Sequence, residues 1–165
     1  MLFIIKNIKS EKSLFDSTYL KNKKLKNRIF FGAVFDDSFH DGKMSPKILK
    51  RIETLVKNDV GLIVTGAALV GDYSTLLGKE CLRIDDDKYI IEFKKLSDVA
   101  HEYNTTILLQ INHLGLQSSA DEIYSPSKDK GIFKDIDSKE MTKDDILRIQ
   151  NYFVEASNKS QKGRI

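Results

Sequence analysis

Three short apolar blocks, each followed by a stretch with helical spacing, organise the chain. Ile29-Phe30-Phe31-Gly32-Ala33-Val34-Phe35 is continuous, short and aromatic, as a buried strand is. Val60-Gly61-Leu62-Ile63-Val64-Thr65 is the second such block, and Thr105 to Ile111 the third. The first predicted helix begins with Ser45 as N-cap and Pro46 at the first helical position, where a missing N–H does no harm. Ile48, Leu49, Ile52, Leu55 and Val56 then share one face, and Asn58-Asp59 closes it. The second helix starts after Asp85-Asp86-Asp87, acid that complements a helix dipole. Its stripe is Ile90, Phe93, Leu96, Ala100 and Tyr103, with Asn104 as the stop. Thr142 and Asp145 make a capping-box pattern for the third helix, whose predicted buried face is Ile146, Ile149, Phe153 and Ala156.

Between these blocks the pattern is looser. Residues 2–8 suggest a short leading strand. Residues 9–27 are polar and lysine-rich, with Phe15, Tyr19 and Leu20 as the expected anchors. Asp36 to Gly42 reads as a loop. Gly66-Ala67-Ala68 and the Gly71 to Gly78 region read as a small-residue loop after the second strand. Residues 116–141 form a long loop holding Ser125-Pro126-Ser127, and loops of that length are usually functional or disordered. The strand–helix alternation predicts an α/β fold with a parallel sheet and right-handed crossovers. Periodicity does not choose between an open doubly wound sheet and a barrel. No G-x-G-x-x-G follows any strand and no P-loop is present, which disfavours a dinucleotide-binding or P-loop start.

The third strand changes character at its end. Its apolar run passes directly into Gln110-Ile111-Asn112-His113-Leu114-Gly115. Sites in strand-and-helix barrels form at the carboxyl ends of strands, so this stretch is a candidate site floor. The remaining chemistry-bearing residues read more plainly. His40 and His101 have no partner at metal or catalytic spacing and are expected at the surface. Cys81 stands alone, as an ordinary thiol outside any disulfide framework or cysteine metal cluster. Asp85 to Asp87 is a helix start rather than a metal site. Ser125 lacks a G-x-S-x-G context and reads as a turn serine before proline.

Composition narrows the classes. The 165 residues suffice for one ordinary domain, and 41% hydrophobic with 31% charged residues allow a packed core. The net charge of +3 is the balance of 27 basic and 24 acidic residues that are well mixed, which argues against nucleic acid. The basic run Lys21 to Lys26 reads as a solvated loop, with an anionic partner as the alternative. No apolar run reaches the roughly 18–20 residues of a membrane span, and the N-terminus is too short and soon too charged for a signal peptide. No membrane partner is expected, and a reducing cytoplasm is the expected compartment.

Several of these residues match a known family in order. Asn27-Arg28-Ile29-Phe30-Phe31-Gly32-Ala33 resembles the first barrel strand of the old yellow enzyme family of NADH:flavin oxidoreductases. Val60 to Ala67 resembles its second strand and Gln110 to Gly115 its third. Ser125-Pro126-Ser127 and Glu140-Met141-Thr142 match shorter markers that follow. The resemblance runs from about residue 25 to about residue 160, with five markers collinear.

The resemblance implies the N-terminal portion of a (β/α)8 TIM barrel, with residues 1–165 forming one partial domain of about three of the eight strand–helix units. It implies FMN across the carboxyl ends of the strands, NAD(P)H as electron donor and a small-molecule acceptor such as an activated alkene. By position, Ala33, Val34 and Phe35 would lie against the flavin, Ala67 would approach it by backbone, and Gln110 would hydrogen-bond the pyrimidine edge. An amide with one acceptor and two donors suits an edge that alternates carbonyl and N–H. Without the resemblance, Gln110 is a strand-end polar residue satisfied by backbone. His113 is either a wall of the substrate or flavin pocket, or a structural or exposed histidine. Ala33-Val34 replaces the family's Pro-Met or similar pair, Phe35 stands where Thr or Cys is common, and Leu116 stands where the family has Arg.

A complete barrel needs roughly 250 residues. The family's paired His, or His and Asn, on the fourth strand, and its later basic and phosphate-binding residues, have no matching position here. Two expectations follow. One is the N-terminal part of an FMN-dependent NAD(P)H oxidoreductase, truncated and inactive on its own. The other is a non-catalytic half-barrel module that pairs with a complementing half or with itself. The first and third strands are expected to present open edges, leaving the chain marginal, oligomeric or prone to aggregate.

Overall fold

The computed structural model describes residues 2–4, 13–34, 39–40, 42–71 and 81–165. Its centre is β7 (Leu62–Leu69), the second apolar block, flanked by parallel strands on both sides. On one side lies β4 (Ile29–Phe31), with Phe30 opposite Leu62 and Phe31 opposite Ile63. On the other lies β9 (Thr106–Asn112) along almost the whole length of β7. The helices α1 (Pro46–Lys57), α2 (Ile90–Glu102) and α3 (Lys143–Lys162) follow β4, β7 and β9 in turn. The predicted α/β class and parallel sheet are therefore observed. Two additional short strands complete the sheet. β1 (Leu2–Ile4) pairs antiparallel with β4, and β8 (Leu82–Arg83) pairs parallel with the end of β7.

The core forms where the helices cover the sheet. Ile48, Ile52 and Val56 of α1 meet Phe93, Leu96 and Ala100 of α2 over Ile63, Ala68 and Ile107. Full burial of a large aliphatic or aromatic side chain contributes about 1.5–3 kcal/mol, so this cluster dominates stability. The helix signals operate unevenly. Thr142 and Asp145 form the full capping box, Thr142 N–H donating to Asp145 Oδ2 at 2.9 Å and Asp145 N–H to Thr142 Oγ1 at 3.2 Å. Ser45 has an N-cap backbone, but its hydroxyl makes no cap bond and is buried without a hydrogen-bond partner. A 3-10 turn, Asp87–Tyr89, precedes α2, and Asp86 caps it by accepting the Lys88 N–H at 2.9 Å. Asp86 sits below its ordinary pKa chiefly because of that backbone hydrogen bond. The acid run is thus a helix start, as expected.

Other expectations need correction. The first strand is shorter than predicted and ends at Phe31. Gly66-Ala67-Ala68 is not a loop: the residues continue β7, held by β9 on one side, with β8 joining at Ala68. Among the described residues of the 9–27 stretch, Phe15, Tyr19 and Leu20 are not anchors but exposed, Phe15 at 69% and Tyr19 at 67%. β2 (Thr18–Leu20) and β3 (Lys23–Leu25) form a hairpin instead, whose turn uses Lys21 at φ 50°, and Leu25 is the buried anchor. Part of the predicted loop at 36–42 is likewise a hairpin, β5 (Phe39–His40) with β6 (Lys43–Met44). The long loop holds β10 (Tyr124–Ser125) and β11 (Lys139–Glu140), paired in parallel.

The buried face of α3 is also different. Ala156 is buried and Tyr152 and Phe153 pack against the core, whereas Ile146 is 44% exposed. The helix is fastened at its far end: Ser97 Oγ donates to the Gly163 carbonyl at 2.8 Å, and Lys159 Nζ donates to the Asp85 carbonyl. Only one of the two expected open edges is present. β1 covers β4, while the outer edge of β9 has no partner strand among the described residues. Among the described residues no helix is long and apolar enough to cross a membrane.

Candidate functional site

The carboxyl ends of β4, β7 and β9 meet at a bulge in the central strand. Val64 lies opposite Leu108, and pairing resumes with Ala67 opposite Gln110, so β7 spends one more residue than β9 across this step. The extra residue reverses which side chains face the helices. Ile63 and Ala68, five positions apart, both join the helix-side core. Thr65 secures the distortion. Its buried hydroxyl accepts the Gln110 N–H at 3.2 Å and donates to the Gly66 carbonyl at 2.9 Å.

Gly66 brings the strands unusually close. A Cβ there would stand 2.8 Å from the Val34 carbonyl oxygen, so only glycine lets β7 pass the end of β4 without displacement. Ala33 and Val34, both exposed, therefore sit beside Gly66 and the half-buried Ala67. Across β7, Gln110 is opposite Ala67. Leu109 and Ile111 pack into the helix-side core, so strand alternation puts Gln110 on the other face. Gln110 is exposed and its side-chain amide makes no hydrogen bond to any described residue. The expected residues Ala33, Val34, Ala67 and Gln110 thus come together on one rim. Phe35 lies outside the described residues.

His113 follows the strand. The Asn112 carbonyl before it accepts the Val70 N–H at 3.0 Å, and Leu114 after it is buried with Leu69 and Cys81. The His113 ring is half-buried, and burial alone holds its pKa below the ordinary 6.5. A neutral imidazole at neutral pH offers one donor and one acceptor. Leu116, just beyond, adds no charge to this end of the sheet. A small hollow of about 40 Å³ lies behind the rim, lined by Phe31, Val34, Met44, Arg51 and Gly66. It is large enough only for water.

The other chemistry-bearing residues do not join this rim. His101 is exposed near the end of α2. His40 belongs to β5, with its side chain outside the described residues. Cys81 is a buried thiol outside any disulfide. Ser125 is buried and donates to the Ser127 carbonyl at 2.6 Å, a structural turn serine. Among the described residues no group of three or more His, Cys, Asp or Glu could hold a metal ion. Thr65 is the site residue that sequence reasoning missed. A threonine before glycine inside an apolar strand is a bulge signal that could have found it.

The class is then defined: a parallel α/β protein whose strand ends form an uncharged rim with an exposed amide. The chain belongs to the NADH:flavin oxidoreductase / NADH oxidase family, whose model matches residues 13–164. It is 29% identical over 152 residues to an NADH oxidase of Thermoanaerobacter brockii, a match covering 88% of this chain and 23% of that protein. In fold it resembles the old yellow enzyme from Pichia sp. AKU4542, with a TM-score of 0.80 at 20% identity over 91% of this chain and 43% of that one. It also resembles morphinone reductase in complex with tetrahydroNAD, with a TM-score of 0.81 at 18% identity over 93% of this chain and 47% of that one. The chain therefore spans about a quarter of the curated relative and less than half of each solved structure.

Proposed function

We propose that these residues are the N-terminal part of a (β/α)8 barrel and form part of the FMN site of an NAD(P)H-dependent oxidoreductase. The carrying observation is the Ala67–Gln110 pairing at the carboxyl ends of β7 and β9, with Gln110's amide unused by the described residues. The rim fits a flavin on its own chemistry. Ala33, Val34, Gly66 and Ala67 present small side chains and close backbone, and Gln110 presents both donors and an acceptor. When bound, FMN supplies the two-electron chemistry linking NAD(P)H to a small-molecule acceptor. Gln110 would hold the pyrimidine edge, Ala33 and Val34 would lie against the ring, and Ala67 would approach it by backbone. His113, neutral at its burial, would wall the adjoining pocket. The family's acceptor-binding residues on a fourth strand have no counterpart among these positions, so cofactor binding, not turnover by this chain alone, is what the proposal assigns.

Equilibrium titration with FMN tests this. The chain should bind FMN saturably and acquire a flavin absorbance band, and Gln110→Ala should weaken binding roughly tenfold, the effect of about one lost hydrogen bond to a polar ligand. Unchanged affinity in Gln110→Ala would remove Gln110 from the site.

A second reading has its own support. Leu108, on the sheet face away from the helices, is 39% exposed, Val34 is 36% exposed, and the outer edge of β9 has no partner among the described residues. An open edge beside apolar surface favours a half-barrel that pairs with itself or with a complementing half. Sedimentation of the purified chain over a range of concentrations distinguishes an assembling module from a monomer.

A further inference from the structure

At the opposite end of the sheet from Gln110 lies a cleft of about 420 Å³, within the size range of small-molecule sites. It opens between the β2–β3 hairpin and the junction of α2 with β9. Lys23, Lys24 and Lys26 line one side, and His101, Asn104 and Thr106 the other. None of the rim residues takes part.

The walls are asymmetrically charged. Lys26 is committed: its Nζ lies 2.8 Å from Asp59 Oδ1 and donates to the Tyr103 carbonyl at 3.0 Å. It braces the hairpin against the end of α2, and Asp59 offsets its charge. Lys23 and Lys24 are exposed and have no carboxylate partner among the described residues. The end of a helix would ordinarily repel an anion through its unsatisfied carbonyls. Here three of the carbonyls at that end are occupied. The Ala100 carbonyl accepts from Tyr103 and Thr105 N–H, the His101 carbonyl from Asn104 N–H, and the Tyr103 carbonyl from Lys26. The lining thus includes two lysines without a carboxylate partner among the described residues, together with His101, Asn104 and Thr106. The Thr105 hydroxyl is used elsewhere, donating to the Val60 carbonyl at 2.8 Å.

We propose that this cleft binds the phosphoryl groups of a small molecule. Lysine recognises phosphate as a point charge with rotatable donors, and the lining holds three lysines. The concave shape and limited volume select a compact ligand, and the well-mixed overall charge of +3 gives no extended track for a nucleic acid. The site is separate from the proposed flavin rim, so its ligand binds whether or not Gln110 is intact.

Inorganic pyrophosphate is the probe, followed by isothermal titration calorimetry on the whole chain at fixed ionic strength. The expected result is saturable 1:1 binding that falls roughly tenfold or more in the double variant Lys23→Gln, Lys24→Gln. The double variant Lys47→Gln, Lys50→Gln, two exposed lysines on α1, should bind as the parent does. Both replacements remove the charge, keep a polar side chain and lie at exposed positions, and matching circular dichroism melts confirm that the hairpin variant is folded. A third variant, Asn104→Gly, suits the positive φ of 52° and removes the amide, so it should also weaken binding. Absence of saturation at about 1 mM pyrophosphate, or equal losses in the hairpin and α1 variants, would overturn the proposal. Binding that survives in Gln110→Ala separates this site from the flavin rim.

Discussion

Gln110 and Thr65 divide their work between backbone and side chain. The Thr65 hydroxyl takes the Gln110 N–H that the bulge removes from the ladder, so the glutamine's main chain is held while its amide remains exposed. His113, three residues on, adds a pH dependence. Its folded-state pKa lies below 6.5 because burial disfavours the charged ring. The unfolded chain therefore binds the proton more readily, so stability is fully present above pH 6.5 and falls as the pH drops through the lowered folded-state pKa. His113→Gln, which keeps polarity without a titrating ring, should flatten the loss of melting temperature as the pH falls below 6.5. An unchanged slope would show that the ring does not sense burial.

At the scale of elements, a single buried amide ties β4 to the α1–β7 connection. Asn27 Nδ2 donates to the Asp59 carbonyl, and its Oδ1 accepts the Ile29 N–H at 3.0 Å. Asp59 adopts φ 61°, a conformation that turns the chain out of α1 into β7. Asn27→Ala would remove both hydrogen bonds of the buried Asn27 amide and should cost about 1–3 kcal/mol in urea unfolding. The helices were legible because their stripes repeat with the helical period and their caps carry recognisable residues. Ile146 is the exception within α3. It satisfies the stripe, yet the helix docks through Tyr152, Phe153 and Ala156 and its C-terminal anchors, leaving the first turns outside the core. A period identifies a face but not how much of it a neighbour reaches.

Across the whole molecule, the helices bury one face of the sheet and leave the other bearing Leu108 and the rim. β1 closes one edge, and the outer edge of β9 carries no strand among the described residues. Size-exclusion chromatography is expected to show concentration-dependent assembly, and Leu108→Asn should shift the population toward monomer by removing exposed apolar surface. A stable monomer with one cooperative melt at all concentrations would count against the pairing reading.

Sequence alone determined the strand–helix order, the parallel sheet, the capping box of α3, and the family, because each rests on local period or on an ordered string of markers. It also placed Ala33, Val34, Ala67 and Gln110 as candidate neighbours through the family resemblance. Tertiary structure decided what depends on a partner strand or a contact across the chain. The Val64–Ala67 bulge exists because β9 pairs with β7 on both sides of it, and Gly66 matters because the Val34 carbonyl stands beside it. The β2–β3 hairpin turns Tyr19 to the surface and Leu25 inward, and its lysines form a cleft only when docked against the end of α2. Hydrophobicity marks a residue as able to be buried. Which residues are buried is set by the surfaces that the fold brings to them.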